Sequence, residues 1–147
     1  PNITHLDVRP ILASGRDPLE HILRALDRVS GGDALMLTVP FRPTPLLALL
    51  ARRGHGVHVR PQGSGVFAVV VVAHRDKTPH DLTDLEPPEP LEIVLTAAAQ
   101  LGDDEVHLFW LPRYPQMLVP QLASRSVLWA IHELHDGVAL VHLRGRA

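Results

Sequence analysis

"PLEHILRAL" (Pro18–Leu26) and "PLEIVLTAA" (Pro90–Ala98) decide the fold of this chain. Both open on proline, which suits the first turn of a helix because its missing N–H has no partner there in any case. Both continue with apolar residues at helical spacing: Leu19, Ile22, Leu23, Leu26 and Val29 in the first. The two segments lie 72 residues apart, and the offset persists downstream. Pro40 meets Pro112, Pro43 meets Pro115, Leu46 meets Leu118, Leu50-Ala51 meets Leu122-Ala123, Gly65-Val66 meets Gly137-Val138 and Val69 meets Val141. By direct count about 14 of 55 aligned positions are identical without a gap, against roughly 4 expected by chance, the self-similarity that marks an internal repeat. Upstream, Asp7 meets Asp81 once two extra residues are allowed in the first copy. The chain therefore reads as two repeats, 1–74 and 79–147, joined through the polar, proline-bearing "AHRDKTPHD" (Ala73–Asp81).

Each copy spells the same order. "HLDV" is a short strand running into a polar loop, and a helix follows, with Asp17 as N-cap in the first copy. "SGG" stops that helix, and "DALMLTV" is a buried strand. A second, proline-opened helix runs through Leu46, Leu49 and Leu50 to Gly54, then "GVHV", the turn "QGSG" and the strand "VFAVVVVA". The second copy gives helices at 90–101 and 115–125 and strands at 105–111, 128–134 and 138–143. The expected class is α/β in the α+β sense, two tandem β-α-β-α-β-β repeats. Each makes a four-stranded mixed sheet with both helices on one face. Because "VFAVVVV" does not alternate polar with apolar residues, its sheet is expected to be covered on both faces. A unit of this size is marginal alone, so the copies are expected to pack as a pseudo-twofold pair.

Composition narrows function mainly by exclusion. Apolar residues are 46% and charged residues 20%, a globular balance, and the net charge of −2 argues against a general nucleic-acid binder. No cysteine is present, which removes disulfides, thiolate metal sites and thiol catalysis. The longest apolar run, Val66–Ala73, is too short to span a bilayer, and no signal peptide is legible, so a cytoplasmic protein is expected.

"LDVR…DPLEHILRALDRVSGGDALML" and "HDLTDLEPPEPLEIVLTAAAQLGDDEVHLFW" resemble the TusA-like (SirA-like) sulfur-carrier fold, closest to its cysteine-lacking bacterial branch, a domain of unknown function. That branch often shows "EPPEP" at the first helix, and some members are linked to hemerythrin-like modules. The resemblance covers nearly the whole chain, once per copy. It implies the two-layer fold, and a carrier function in those members that hold a persulfide on the cysteine of Cys-Pro-x-Pro. There the helix dipole favours the thiolate. Here the cysteine position falls on Gly15 and on Pro87, neither of which carries sulfur, so the carrier activity does not transfer. The implied role is a non-catalytic accessory or binding module. Arg9 of the "LDxR" pattern is kept in the first copy, with Thr83 in its place in the second.

Three constellations are candidate sites. Arg9 and Arg16 flank the first helix start, where free N–H groups favour an anion, whereas Glu86, Glu89 and Glu92 surround the second start and repel one. The corners "TVPFRPTP" and "WLPRYPQM" each place an arginine between prolines, Arg42 and Arg113, beside Phe41 and Tyr114. Among ten histidines, the pairs His55/His58 and His132/His135 invite a metal or haem reading. Their i, i+3 spacing on a strand puts partners on opposite faces, unless a bend at "ELHDG" gathers His132, His135 and Glu133 or Asp136. An N-terminal proline base at Pro1 is a weaker enzymatic reading, since residues 1–4 are out of phase with the strand "LDV". No cofactor is predicted outright, and the partner is expected to be another protein or a small anionic ligand.

Overall fold

The computed structural model describes residues 3–29, 33–72, 79–134 and 136–146. These fall into two compact units, one over 3–72 and one over 79–146 of the described chain. The first contains β1 (Ile3–Asp7), α1 (Arg9–Ala13), α2 (Leu19–Asp27), β2 (Ala34–Val39), α3 (Thr44–Arg52), β3 (Gly56–Pro61) and β4 (Phe67–Val72). The second contains β5 (His80–Asp81), α4 (Glu89–Ala99), β6 (Val106–Leu111), α5 (Leu118–Ala123), β7 (Val127–Glu133) and β8 (Ala139–Gly145).

Each unit holds one four-stranded mixed sheet, ordered β1-β2-β4-β3 and β5-β6-β8-β7. The first strand pairs parallel with its neighbour and the other pairings are antiparallel. The 72-residue offset carries into the pairing: Ala34↔Val72 in one sheet becomes Val106↔Arg144 in the other. The change of offset upstream is equally visible. Asp7 lies opposite Thr38 and Asp81 opposite Trp110, so the two aspartates are equivalent across the two-residue insertion.

That insertion builds something the sequence reading placed in a loop. Between β1 and α2 the chain turns through α1, with Pro10 in its first turn, so the first repeat runs β-α-α-β-α-β-β. Its five residues have no helical counterpart after β5. Helix starts also move. Pro18 precedes α2, and Asp17 Oδ1 accepts the N–H of Leu19 at 2.9 Å, an end-capping bond just upstream of the helix. Residues 115–117 form a turn, with Leu118 N–H donating to the Pro115 carbonyl at 3.0 Å, so α5 begins later than proline alone predicts.

The helices of each unit cover one face of its sheet. Ile22 of α2 and Leu50 of α3 are buried with Leu35, Leu37, Val39, Val69 and Val71, the residues on one side of β2 and β4. In the second unit Val94 and Ala98 of α4 and Leu118 and Leu122 of α5 are buried with Phe109, Leu111, Val141 and Leu143. Position by position these are the same core: Ile22 and Val94, Leu50 and Leu122, Leu37 and Phe109, Val71 and Leu143. Val8 and Leu82 match at the upstream offset, and each donates its N–H to the neighbouring strand, to Thr38 at 3.1 Å and Trp110 at 2.8 Å. The opposite phase of the central strands is buried too. Met36, Val70, Leu108 and Leu140 are withdrawn from solvent, as the unbroken apolar strands led one to expect.

Not every core position matches: the fully buried His142, for one, stands where the first repeat has Val70. His107 stands where the first repeat has Leu35. It is half-buried, Nε2 is 2.8 Å from Glu105 Oε1, and its ring stacks near His80 (6.0 Å) and Phe109 (6.2 Å). The adjacent carboxylate partners the ring where leucine needed none.

Candidate functional site

The second unit has a groove of about 590 Å³. Its walls come from three places that the sequence holds far apart. One is the entry to α4: Pro87, Pro88, Pro90 and Leu91, with a cis peptide between Pro87 and Pro88. The second is the corner between β6 and α5, from Leu111 to Leu118. The third is Glu133, the last residue of β7.

The sheet register explains how Glu133 arrives. Leu111 pairs with Ala139, and Ala139 pairs with Glu133, so the three share one row across β6, β8 and β7. Leu111 belongs to the helix-covered face, and side chains in one row project to the same side, so Glu133 stands on that face. Two rows along, Ile131 fills the same face with apolar surface packed on the core. The sheet thus runs from a closed core to an open end that carries a carboxylate.

The corner supplies the rest. Leu118 is fully buried and anchors α5, while Tyr114 is 37% and Met117 73% exposed, so the apolar lining continues from the core out to solvent. The turn is pinned by the Gln116 N–H donating to the Tyr114 carbonyl at 3.1 Å. The first repeat makes the same bond from Thr44 to Arg42 at 3.0 Å. At matched positions the order of side chains is reversed. Phe41 occupies the place of Arg113, and Arg42 the place of Tyr114. Glu133 is matched by Pro61.

The sequence-predicted residues divide accordingly. Arg113 and Tyr114 line the groove, and the "EPPEP" helix start, considered separately from them in the sequence, forms its other wall. Arg42 is exposed at the corresponding corner of the first unit. Arg9 is turned onto Asp7: its Nε lies 2.9 Å from Oδ1 and its Nη2 2.7 Å from Oδ2, while Asp7 Oδ1 also accepts the Arg9 backbone N–H at 3.0 Å. Hydrogen bonding from Arg9 holds the Asp7 carboxyl below the usual aspartate range, against the opposing effect of partial burial. The second repeat keeps this turn with other atoms, Asp81 Oδ1 accepting both the N–H (3.0 Å) and the hydroxyl (2.6 Å) of Thr83. Arg16 is exposed after Gly15, whose φ of 79° closes the turn behind α1.

Of the histidine candidates, His132 lies on β7 beside Glu133, so their side chains leave opposite faces of the strand. His135 and Pro1 lie outside the described residues. Among the described residues no group of three or more His, Asp or Glu side chains could hold a metal ion. The sequence reading grouped Glu133 with the histidines rather than with this corner, and left Leu91 and Leu118 out of any site. The missing signal was the strand register, which fixes the face and level of Glu133.

Comparison with known families adds one match, made twice. The model of an uncharacterized conserved protein family, DUF2249, matches residues 5–73 and again 79–144. The chain belongs to the DUF2249 family. Its two DUF2249 copies coincide with the two sheets and their helices. No curated protein and no solved structure matches the chain. Among the described residues of this DUF2249 protein, no helix is long and apolar enough to cross a membrane.

Proposed function

We propose that the two DUF2249 repeats are TusA-like units that have kept a sulfur carrier's framework without its thiol, and that the second repeat is a non-catalytic binding module whose ligand seat is the groove. The observation that carries this reading is the groove's position. It opens at Pro87, the place where the resemblance puts the carrier cysteine, and it is bounded by the β6–α5 corner. A wall of prolines fixes that opening without the conformational entropy that a flexible loop would lose on binding. The volume falls within the range of about 300–1,000 Å³ usual for small-molecule sites, and the lining is mainly apolar with a few polar groups, the usual make-up of such sites. With no cysteine in the chain, no ligand is held there through a thiol.

The test is titration of the chain with Nile red, an uncharged apolar dye. Saturable fluorescence enhancement near one equivalent, lost in Met117→Asp and retained in Phe41→Asp, is the expected result. Both residues are exposed, so neither substitution disturbs a core. Enhancement that is absent, or that survives Met117→Asp unchanged, contradicts the reading.

A further inference from the structure

We infer that the groove takes a small zwitterion with an apolar body, the chemistry of a free amino acid with an aliphatic or aromatic side chain, or of a short apolar peptide. The inference rests on the groove being a ligand seat, and it is carried by charge. Two ionised side chains line the groove, Arg113 from the β6–α5 corner and Glu133 from the end of β7, and they are of opposite sign. Among the described residues neither makes a hydrogen bond or an ion pair. Each is therefore open to a ligand.

Comparing ligand classes decides between them. A simple carboxylate gains the Arg113 guanidinium and is opposed by Glu133. A simple amine gains Glu133 and is opposed by Arg113. An uncharged apolar molecule gains neither charge-assisted bond, the stronger kind of polar contact. Only a molecule bearing both an ammonium and a carboxylate satisfies both groups at once, while its apolar part lies on Leu91, Met117 and the exposed Pro87 and Pro88. The first repeat sharpens the point: Glu133 is matched there by Pro61 and Arg113 by Phe41, so the charge pair belongs to the second repeat alone at these positions.

The experiment uses the whole chain and isothermal titration with L-phenylalanine, L-leucine and the dipeptide Leu-Phe. Each is tested beside its C-terminal amide, which lacks the carboxylate, and its N-acetyl form, which lacks the ammonium. At least one parent zwitterion should bind, with both blocked forms weakened tenfold or more, and whether the amino acids or the dipeptide bind tighter separates the two sources. Arg113→Gln should erase the preference over the amide, and Glu133→Gln the preference over the N-acetyl form. Blocked forms that bind as well as their parents, or a preference untouched by both substitutions, overturn the inference. Nile red separates the levels of failure. If the dye binds in a Met117-dependent way and no zwitterion displaces it, the zwitterion inference falls and the groove stands. If the dye does not bind either, both fall.

Discussion

Replacing Gly145 by alanine should be among the most damaging single-methyl additions in the second repeat. Gly145 ends β8, where its N–H donates to the Glu105 carbonyl at 2.9 Å and its carbonyl accepts from the Asp104 N–H at 3.2 Å. A Cβ there would overlap the carbonyl oxygen of Gly102 and lie 2.9 Å from its carbon. Carbon atoms pack at about 3.5–4.0 Å, so the two segments must part by at least about half an ångström. The obstacle is backbone, and it is pinned: Glu105 N–H donates to that same Gly102 oxygen at 3.1 Å, and Glu105 Oε2 accepts the Gly102 N–H at 2.8 Å. Overpacking of this kind costs about 1–3 kcal/mol. Against it, Gly→Ala gains about 0.4–1 kcal/mol from a less flexible unfolded chain. The pinned backbone puts the overpacking cost in the upper part of its range, about 2–3 kcal/mol, so the expected net loss is about 1–2.5 kcal/mol in urea unfolding followed by circular dichroism. Gly102→Ala is the control. Its Cβ meets only the far end of the Glu105 side chain, at 3.1 Å, and the change should stay within about 0.5 kcal/mol. A Gly145→Ala chain as stable as the parent, or more so, would refute the packing described for this turn.

Asp17→Ala should remove the bond that caps the entry to α2 and cost about 0.5–2 kcal/mol, while Asp17→Asn keeps most of it, both read from urea midpoints. Leu50→Ala and Leu122→Ala remove fully buried, equivalent side chains. Each should cost about 2–5 kcal/mol, and a large loss from one with none from the other would contradict the shared core. The Asp7 carboxyl is held below its ordinary value chiefly by Arg9, so its contribution is complete above about pH 5 and is lost as pH falls below about 4 and through the lowered value. Arg9→Ala should therefore be less stable than the parent at neutral pH, with the gap closing as pH falls through the lowered value. A difference that stays constant across that range would count against the Asp7–Arg9 pairing.

How far these features could be seen in the sequence depends on the range of the interaction behind them. The repeat was visible because each copy buries the same positions, and burial constrains residue type locally: Ile22 and Val94, Leu50 and Leu122, Val69 and Val141. The equivalence of Asp7 and Asp81 was visible because both close the same side-chain turn on the residue two along. The α1 helix was not, since five residues with one proline and a single turn of apolar spacing carry little periodic signal. Arg9 read as an anion ligand because sequence shows a charge and not its partner, and the partner sits two residues away. The groove lay furthest from view. Its corner and helix start were each noticed, but their meeting depends on the packing of α4 and α5 over β6. Glu133 joins them only through the row it shares with Leu111 and Ala139. Considered with His132 and His135, it pointed toward a metal. On a strand, neighbours face opposite ways.

The most direct test of the groove as a ligand seat is amide chemical-shift mapping of the whole chain, titrated with Nile red and then with the tightest zwitterion found. The account predicts that the shifts concentrate on Leu91, Arg113, Tyr114, Met117, Leu118 and Glu133, with the matching corner around Phe41 and Arg42 unmoved. Shifts centred on that first-repeat corner, or no shifts at saturating ligand, would contradict it.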